Sequence, residues 1–163
     1  MRISITGHPV ILKNSKQIIW VKGKPIVKSS PQVEAYQHKA IAVICAQLGG
    51  DKPILGDVQA TMLFYGAWKK GSGNVPDLSN LYQMPEDLMQ AAGVYLDDNQ
   101  IESHDGSRRV YMCDACDDRP YFKAGPKKGK QKPDCGAVKK CPYERIEIRI
   151  ERLELGWRRL EVE

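Results

Sequence analysis

Apolar and polar residues alternate most cleanly at residues 57–66, where Val58, Ala60, Met62 and Phe64 fall on one side of an extended chain. The run from Glu144 to Ile150 has the same period: Ile146, Ile148 and Ile150 face one way and Glu147 and Arg149 the other. Residues 2–6 alternate more weakly. Val10–Leu12, Gln17–Val21 and residues 25–28 are short apolar runs separated by the polar turns Lys13-Asn14-Ser15-Lys16 and Lys22-Gly23-Lys24-Pro25. The simplest reading of these three runs is a β-meander. Leu153 and Leu155 are out of phase with the isoleucines, so a bulge near Glu151-Arg152 is expected.

Two stretches carry helical spacing instead. Val33, Tyr36, Ala40, Ile44 and Leu48 form one stripe, opened by Ser30-Pro31 and closed by Gly49-Gly50. Cys45 lies within it and is expected to be a buried small apolar residue. Leu78, Leu81, Met84, Leu88 and Ala91 form the second stripe, with Pro85 either bending the helix or opening its second half. Residues 113–142 are rich in Lys, Gly and Pro and poor in apolar side chains, so they read as an insertion that builds no core of its own.

Charge adds a second pattern to this layout. The chain of 163 residues has net charge +5, yet Asp77 to Asp105 holds seven acids and no Lys or Arg. The acids are Asp77, Glu86, Asp87, Asp97, Asp98, Glu102 and Asp105. The remainder has 25 bases against 13 acids. Clustered carboxylates gather hard divalent cations, and basic surface holds phosphates by releasing counterions. A solvated acidic face is the plainer alternative. There is no apolar run of about 18 residues and no continuous apolar leader at MRISITGHPV, so neither a membrane-spanning helix nor a signal peptide is expected, and a cytoplasmic protein is. Lys69 and Lys70 follow Trp68 in a basic loop that can meet nucleic acid by charge and stacking, or can be an ordinary turn.

A metal-dependent nuclease needs oxygen ligands that converge on one or two cations. Asp77 opens the second helix, and Asp97-Asp98 follows its end. An antiparallel return of the chain is expected to bring Asp77 to Asp97 or Asp98, with Glu86, Asp87 or Asp105 completing the set.

The run Asp77-Leu78-Ser79-Asn80-Leu81, followed about 20 residues on by Asp97-Asp98-Asn99-Gln100-Ile101, resembles the RusA family of Holliday junction resolvases. That family has a D-x-D-N-L helix start and a D-D-x-Q-I element. The segment Lys13–Lys16, the helix after Ser30 and the strand Glu144–Ile150 extend the likeness. The resemblance implies an α+β fold with a small mixed sheet and two main helices packed on it. It also implies a homodimer and Mg²⁺-dependent cleavage of branched DNA, with Asp77 and Asp98 as metal-binding acids and Asp97 as their neighbour. Two positions depart from the pattern: Ser79 stands where the family has its second Asp, and Gln83 where a lysine is common. Asp105, with Arg108 or Arg109, is expected to supply the missing carboxylate and cation. His104 reads as an ordinary surface histidine. A catalytically weakened DNA-binding protein is the alternative that Ser79 and Gln83 motivate.

Cysteines make a separate constellation. Cys113 and Cys116 form a C-x-x-C pair, with Cys135 after 18 intervening residues and Cys141 after five more. Four thiolates suit tetrahedral Zn²⁺ with no open position, so a structural zinc-knuckle-like site is expected within a single domain spanning residues 1–163.

Overall fold

The computed structural model describes residues 1–12, 15–68, 75–111 and 144–153. Its strands are β1 (Arg2–Thr6), β2 (Lys16–Val21), β3 (Lys24–Ser29), β4 (Val58–Gly66), β5 (Ile101–Ser103), β6 (Arg108–Tyr111) and β7 (Arg145–Arg152). The helices are α1 (Pro31–Leu48) and α2 (Leu78–Ala91), with a single 3₁₀ turn at Asp98–Gln100. The architecture is α+β.

Five strands make one mixed sheet. β7 lies between β1 and β4, antiparallel to both, while β5 and β6 pair with β4 in parallel. The alternating side chains explain this arrangement. Val58, Ala60, Met62 and Phe64 of β4 and Ile146, Ile148 and Ile150 of β7 line one face, joined by Ile3 and Ile5 of β1, and all are buried. The helices cover that face with their own stripes, Val33, Ala40, Ile44 and Leu48 from α1 and Leu81, Met84, Leu88 and Met89 from α2. Burying each large aliphatic side chain contributes roughly 1.5–3 kcal/mol relative to exposure.

Local chemistry sets the helix ends. Ser30 Oγ accepts a hydrogen bond from the Val33 N–H, Pro31 occupies the first turn, and Gly49 closes α1 in the left-handed region at φ 61°. α2 runs unbroken through Pro85, whose ring is buried in the core.

Four expectations change. Val10–Leu12 forms no strand; Leu12 turns into the core as loop, and its carbonyl accepts bonds from the N–H and hydroxyl of Ser15. The meander is therefore reduced to the β2–β3 hairpin. No bulge interrupts β7, whose pairing with β4 is regular through Arg152↔Val58. Cys45 is exposed, since it lies one helical step from the buried Ile44. The Trp68 ring is buried, packed across Gly66 and edge-on to His8, which removes it as an exposed stacking platform. A Cβ at Gly66 would meet the Trp68 ring at 2.5 Å.

Candidate active site

α2 carries Glu86 and Asp87 of the acidic strip, with Asp77 at its start. Asp77 precedes its first turn in extended backbone, and its carboxylate makes no capping bond. Ser79, Gln83 and Asp87 follow at four-residue spacing, so they share one helix face. Arg109, from β6, donates from Nη1 to the Pro76 carbonyl at 2.9 Å and so pins the loop just before Asp77.

Beyond α2 the chain turns at Gly93 and returns along the helix. Tyr95 is buried, and its hydroxyl donates to the Glu86 carbonyl at 2.9 Å. The 3₁₀ turn then places Asp98. Adjacent acids have different duties here. The Asp97 carboxylate accepts the Asn99 N–H at 2.8 Å and caps the turn, whereas no such bond engages the Asp98 side chain among the described residues.

Gln100 holds the turn in place. Its Oε1 accepts the N–H groups of Leu96 and Asp97, and its Nε2 donates to the carbonyls of Ile54 and Gly56, at 2.7–3.1 Å throughout. The two Oε1 bonds close the turn on itself, and the two Nε2 bonds tie the segment bearing Asp98 to the loop leading into β4. This is a physical reason for glutamine in the D-D-x-Q-I element, and sequence reasoning assigned the residue no role.

Electrostatics identify which acids share a field. Burial pushes the Asp87 carboxyl above its ordinary range, and the charge of Asp98 raises it further. Glu86 is raised chiefly by burial and also by Asp98 and Asp87, while the hydrogen bond and charge of His104 oppose the shift. Burial raises Tyr95 as well, reinforced by Glu86, Asp98 and Asp87. Asp77 contributes to none of these shifts. Ten helical residues separate it from Asp87, about 15 Å of rise. Among the described residues no three His, Cys, Asp or Glu side chains are grouped closely enough to hold a metal ion between them. The charge of Asp98 thus reaches Glu86 and Asp87, while Asp77 stands at the N-terminal end of the helix that carries them.

His104 departs from its surface reading. Its Nε2 lies 2.7 Å from Glu86 Oε1, and its ring stacks on Tyr82 at 4.3 Å between centroids and 17° between planes. That contact clips the β5–β6 connection to α2. The only sequence signal was the nearness of His104 to the second acidic motif. Asp105 is exposed; its carbonyl accepts from the Thr61 hydroxyl, and its N–H donates to Ser103 Oγ. Arg108 lies on the sheet face away from the helices, in a groove of about 650 Å³ that Arg2 and Arg149 also line. Lys69, Lys70, Cys113, Cys116, Cys135 and Cys141 fall outside the described residues.

The donor chemistry fits a divalent cation. Asp98 and Asp87 are hard oxygen donors, and Asp98 opposes ionisation of Asp87, a repulsion that a bound cation would cancel. Mg²⁺ keeps several waters and takes one or two carboxylates plus substrate phosphates, so a closed cage is not required.

The sequence model of one family, Endodeoxyribonuclease RusA, matches residues 9–112, which include both acidic motifs, the hairpin and α1. The chain belongs to the RusA family. It is accordingly an enzyme, a hydrolase that cuts DNA internally. A comparison with curated proteins found no significant match. No helix among the described residues is long and apolar enough to cross a membrane.

Proposed function

We propose that this RusA-family enzyme is a Mg²⁺-dependent nuclease that resolves four-way DNA junctions as a two-fold pair of copies, working in the cytoplasm where such DNA is found. What supports the metal site is the placement of Asp98: its carboxylate makes no hydrogen bond among the described residues, the Asp97 cap and Gln100 fix its turn, and its charge bears on Asp87 and Glu86. Asp98 and Asp87 hold the cation, with Glu86 beside them. When bound, Mg²⁺ supplies charge neutralisation at the scissile phosphate and lowers the pKa of attacking water. Gln100 and the Asp97 cap keep Asp98 in position. The Glu86–His104 contact holds the third turn of α2 against the β5–β6 connection. Asp77, at the start of the same helix and next to the Pro76 carbonyl that Arg109 binds, engages the substrate side of the site. Arg108 and Arg109, with Lys69 and Lys70 from the loop before α2, contact phosphates. Asp105 adds a further exposed carboxylate to this set. Cys113, Cys116, Cys135 and Cys141 hold a structural Zn²⁺ that orders the insertion.

A synthetic four-way junction with Mg²⁺ tests the reading. Paired nicks are expected from the native chain. Asp98→Asn should lower the rate by more than about 100-fold, the upper end for losing an outer-shell partner of a metal ligand. Unchanged cleavage by Asp98→Asn would overturn the metal assignment. One Zn²⁺ per chain by elemental analysis, lost in Cys116→Ser, is the matching result for the insertion.

A further inference from the structure

The β2–β3 hairpin lies outside the five-stranded sheet: among the described residues its strands pair only with each other. Cross-strand register divides its side chains between two faces. Ile19↔Ile26 and Gln17↔Lys28 share one, and Ile18↔Val27 and Trp20↔Pro25 share the other. The first face is the more sheltered. Ile19 and Ile26 are 37% and 45% exposed, and Lys28 Nζ reaches Glu34 of α1 at 3.2 Å, which tethers this face to the body of the protein. The second face is open: Ile18, Trp20 and Val27 are 62–71% exposed.

Charge distinguishes the partners that the open face suits. No Asp or Glu occurs before Glu34, and the hairpin carries four lysines, Lys16, Lys22, Lys24 and Lys28. Among the described residues only Lys28 of these four pairs with an acid. Lys16 starts β2 and Lys22 follows its end at the tip, six residues or about 20 Å along the strand. One strand of a duplex carries about six phosphates over that length. Lysine is depleted from protein interfaces, so an apolar stripe between unpaired lysines matches nucleic acid better than protein. Bases stack on aromatic rings while phosphates meet cations.

Trp20 supplies the ring. Trp68, the other indole among the described residues, is buried against Gly66 and offers none. Lys22 and Gly23 both have positive φ, 49° and 76°, so the hairpin closes on a two-residue type I′ turn and its tip is narrow. Pro25, directly across from Trp20, fixes its own φ and stiffens the backbone beneath the indole. Inside a linear duplex every base face is already stacked. At a branch the stacks end, and a base face is open to a ring that reaches it.

We infer that the open face of the β2–β3 hairpin reads the branch point of DNA. Trp20 stacks on the base exposed where the arms meet, and Lys16 and Lys22 hold phosphates to either side. The inference rests on branched DNA as the substrate and does not involve the metal site.

Affinity of the full chain provides the test, with Zn²⁺ present and Ca²⁺ replacing Mg²⁺ so that binding is read and cleavage is not. The two DNAs are a synthetic four-way junction and a linear duplex with the sequence of one of its arms. Trp20→Ala should weaken junction binding about 5–100-fold, the range for losing one stacked base, and leave duplex binding within about twofold. Trp20→Phe should recover most of the loss. Lys16→Ala and Lys22→Ala should weaken binding to both DNAs and each lower the salt slope by about one. On the native chain, a fluorescent base analogue at the branch should be quenched on binding, and the same analogue in the middle of an arm should not. A folded Trp20→Ala that loses nothing, or that loses equally on both DNAs, overturns the inference. So does an unquenched analogue at the branch. A lower sedimentation mass for Trp20→Ala without DNA would make the open face a protein contact and overturn it equally. A native chain that binds both DNAs alike overturns the substrate reading and this inference together, whereas failure of the metal assignment shows only in the nicking by Asp98→Asn.

Discussion

The five-stranded sheet and the β2–β3 hairpin are written in similar residues and meet opposite surroundings. Ile3, Ile5, Ile146, Ile148 and Ile150 are buried to 0–3% exposure, whereas Ile18, Ile19 and Ile26 are exposed at 37–68%. What differs is the covering layer. α1 and α2 present apolar stripes to the sheet, and no element among the described residues packs its stripe on the hairpin. Alternation of apolar residues thus specifies an extended chain with a face to cover, and leaves open whether the same chain covers it. The acids at α2 and the 3₁₀ turn pose a parallel case in charge: Asp98 bears on Asp87 and Glu86, and His104 offsets this only at Glu86.

Truncation separates the two regions most strongly. Phe64→Ala should cost about 3–5 kcal/mol by urea unfolding, because it opens a cavity under α2. Trp20→Ala should cost less than about 0.5 kcal/mol, the range of an ordinary surface change. Equal losses would break the comparison.

Next in size is Gln100→Ala. It leaves the Ile54 and Gly56 carbonyls and the Leu96 and Asp97 N–H groups to water, for about 0.5–1.5 kcal/mol, because three of the four bonds are exposed. Cleavage should fall by about 10–100-fold as Asp98 loses its support. Lost stability with full activity would show that Gln100 does not position the site.

The smallest effect has the opposite sign. A carboxyl raised in the folded state binds its proton more tightly there than in the unfolded chain. Stability therefore falls as pH rises from the ordinary values, 4.5 for Glu86 and 3.8 for Asp87, through the raised ones. Asp98→Asn removes part of that loss. It should stabilise the chain at pH 7 by about 0.5 kcal/mol after allowing for solvent screening, and by nothing near pH 3. Thermal unfolding at the two pH values checks this. A destabilised Asp98→Asn at pH 7 would mean that Asp98 is held by contacts instead of opposing its neighbours.

Much of this protein could be read along the chain. The periods of β4, β7, α1 and α2, the Ser30 cap and the Gly49 stop are local patterns, and local hydrogen bonding and burial periodicity suffice to produce them. The paired motifs around Asp77 and Asp98 carried the RusA family. Tertiary structure decided the rest. It made Val10–Leu12 core-filling loop, turned Cys45 outward and buried Trp68 against Gly66, because each outcome depends on which neighbour occupies the adjoining space. It also brought the charge of Asp98 to bear on Asp87 and Glu86, joined His104 to Glu86 and made Gln100 the clasp of the 3₁₀ turn. Charge–charge energies and hydrogen bonds depend on distances through space, and a linear spacing leaves those distances undetermined.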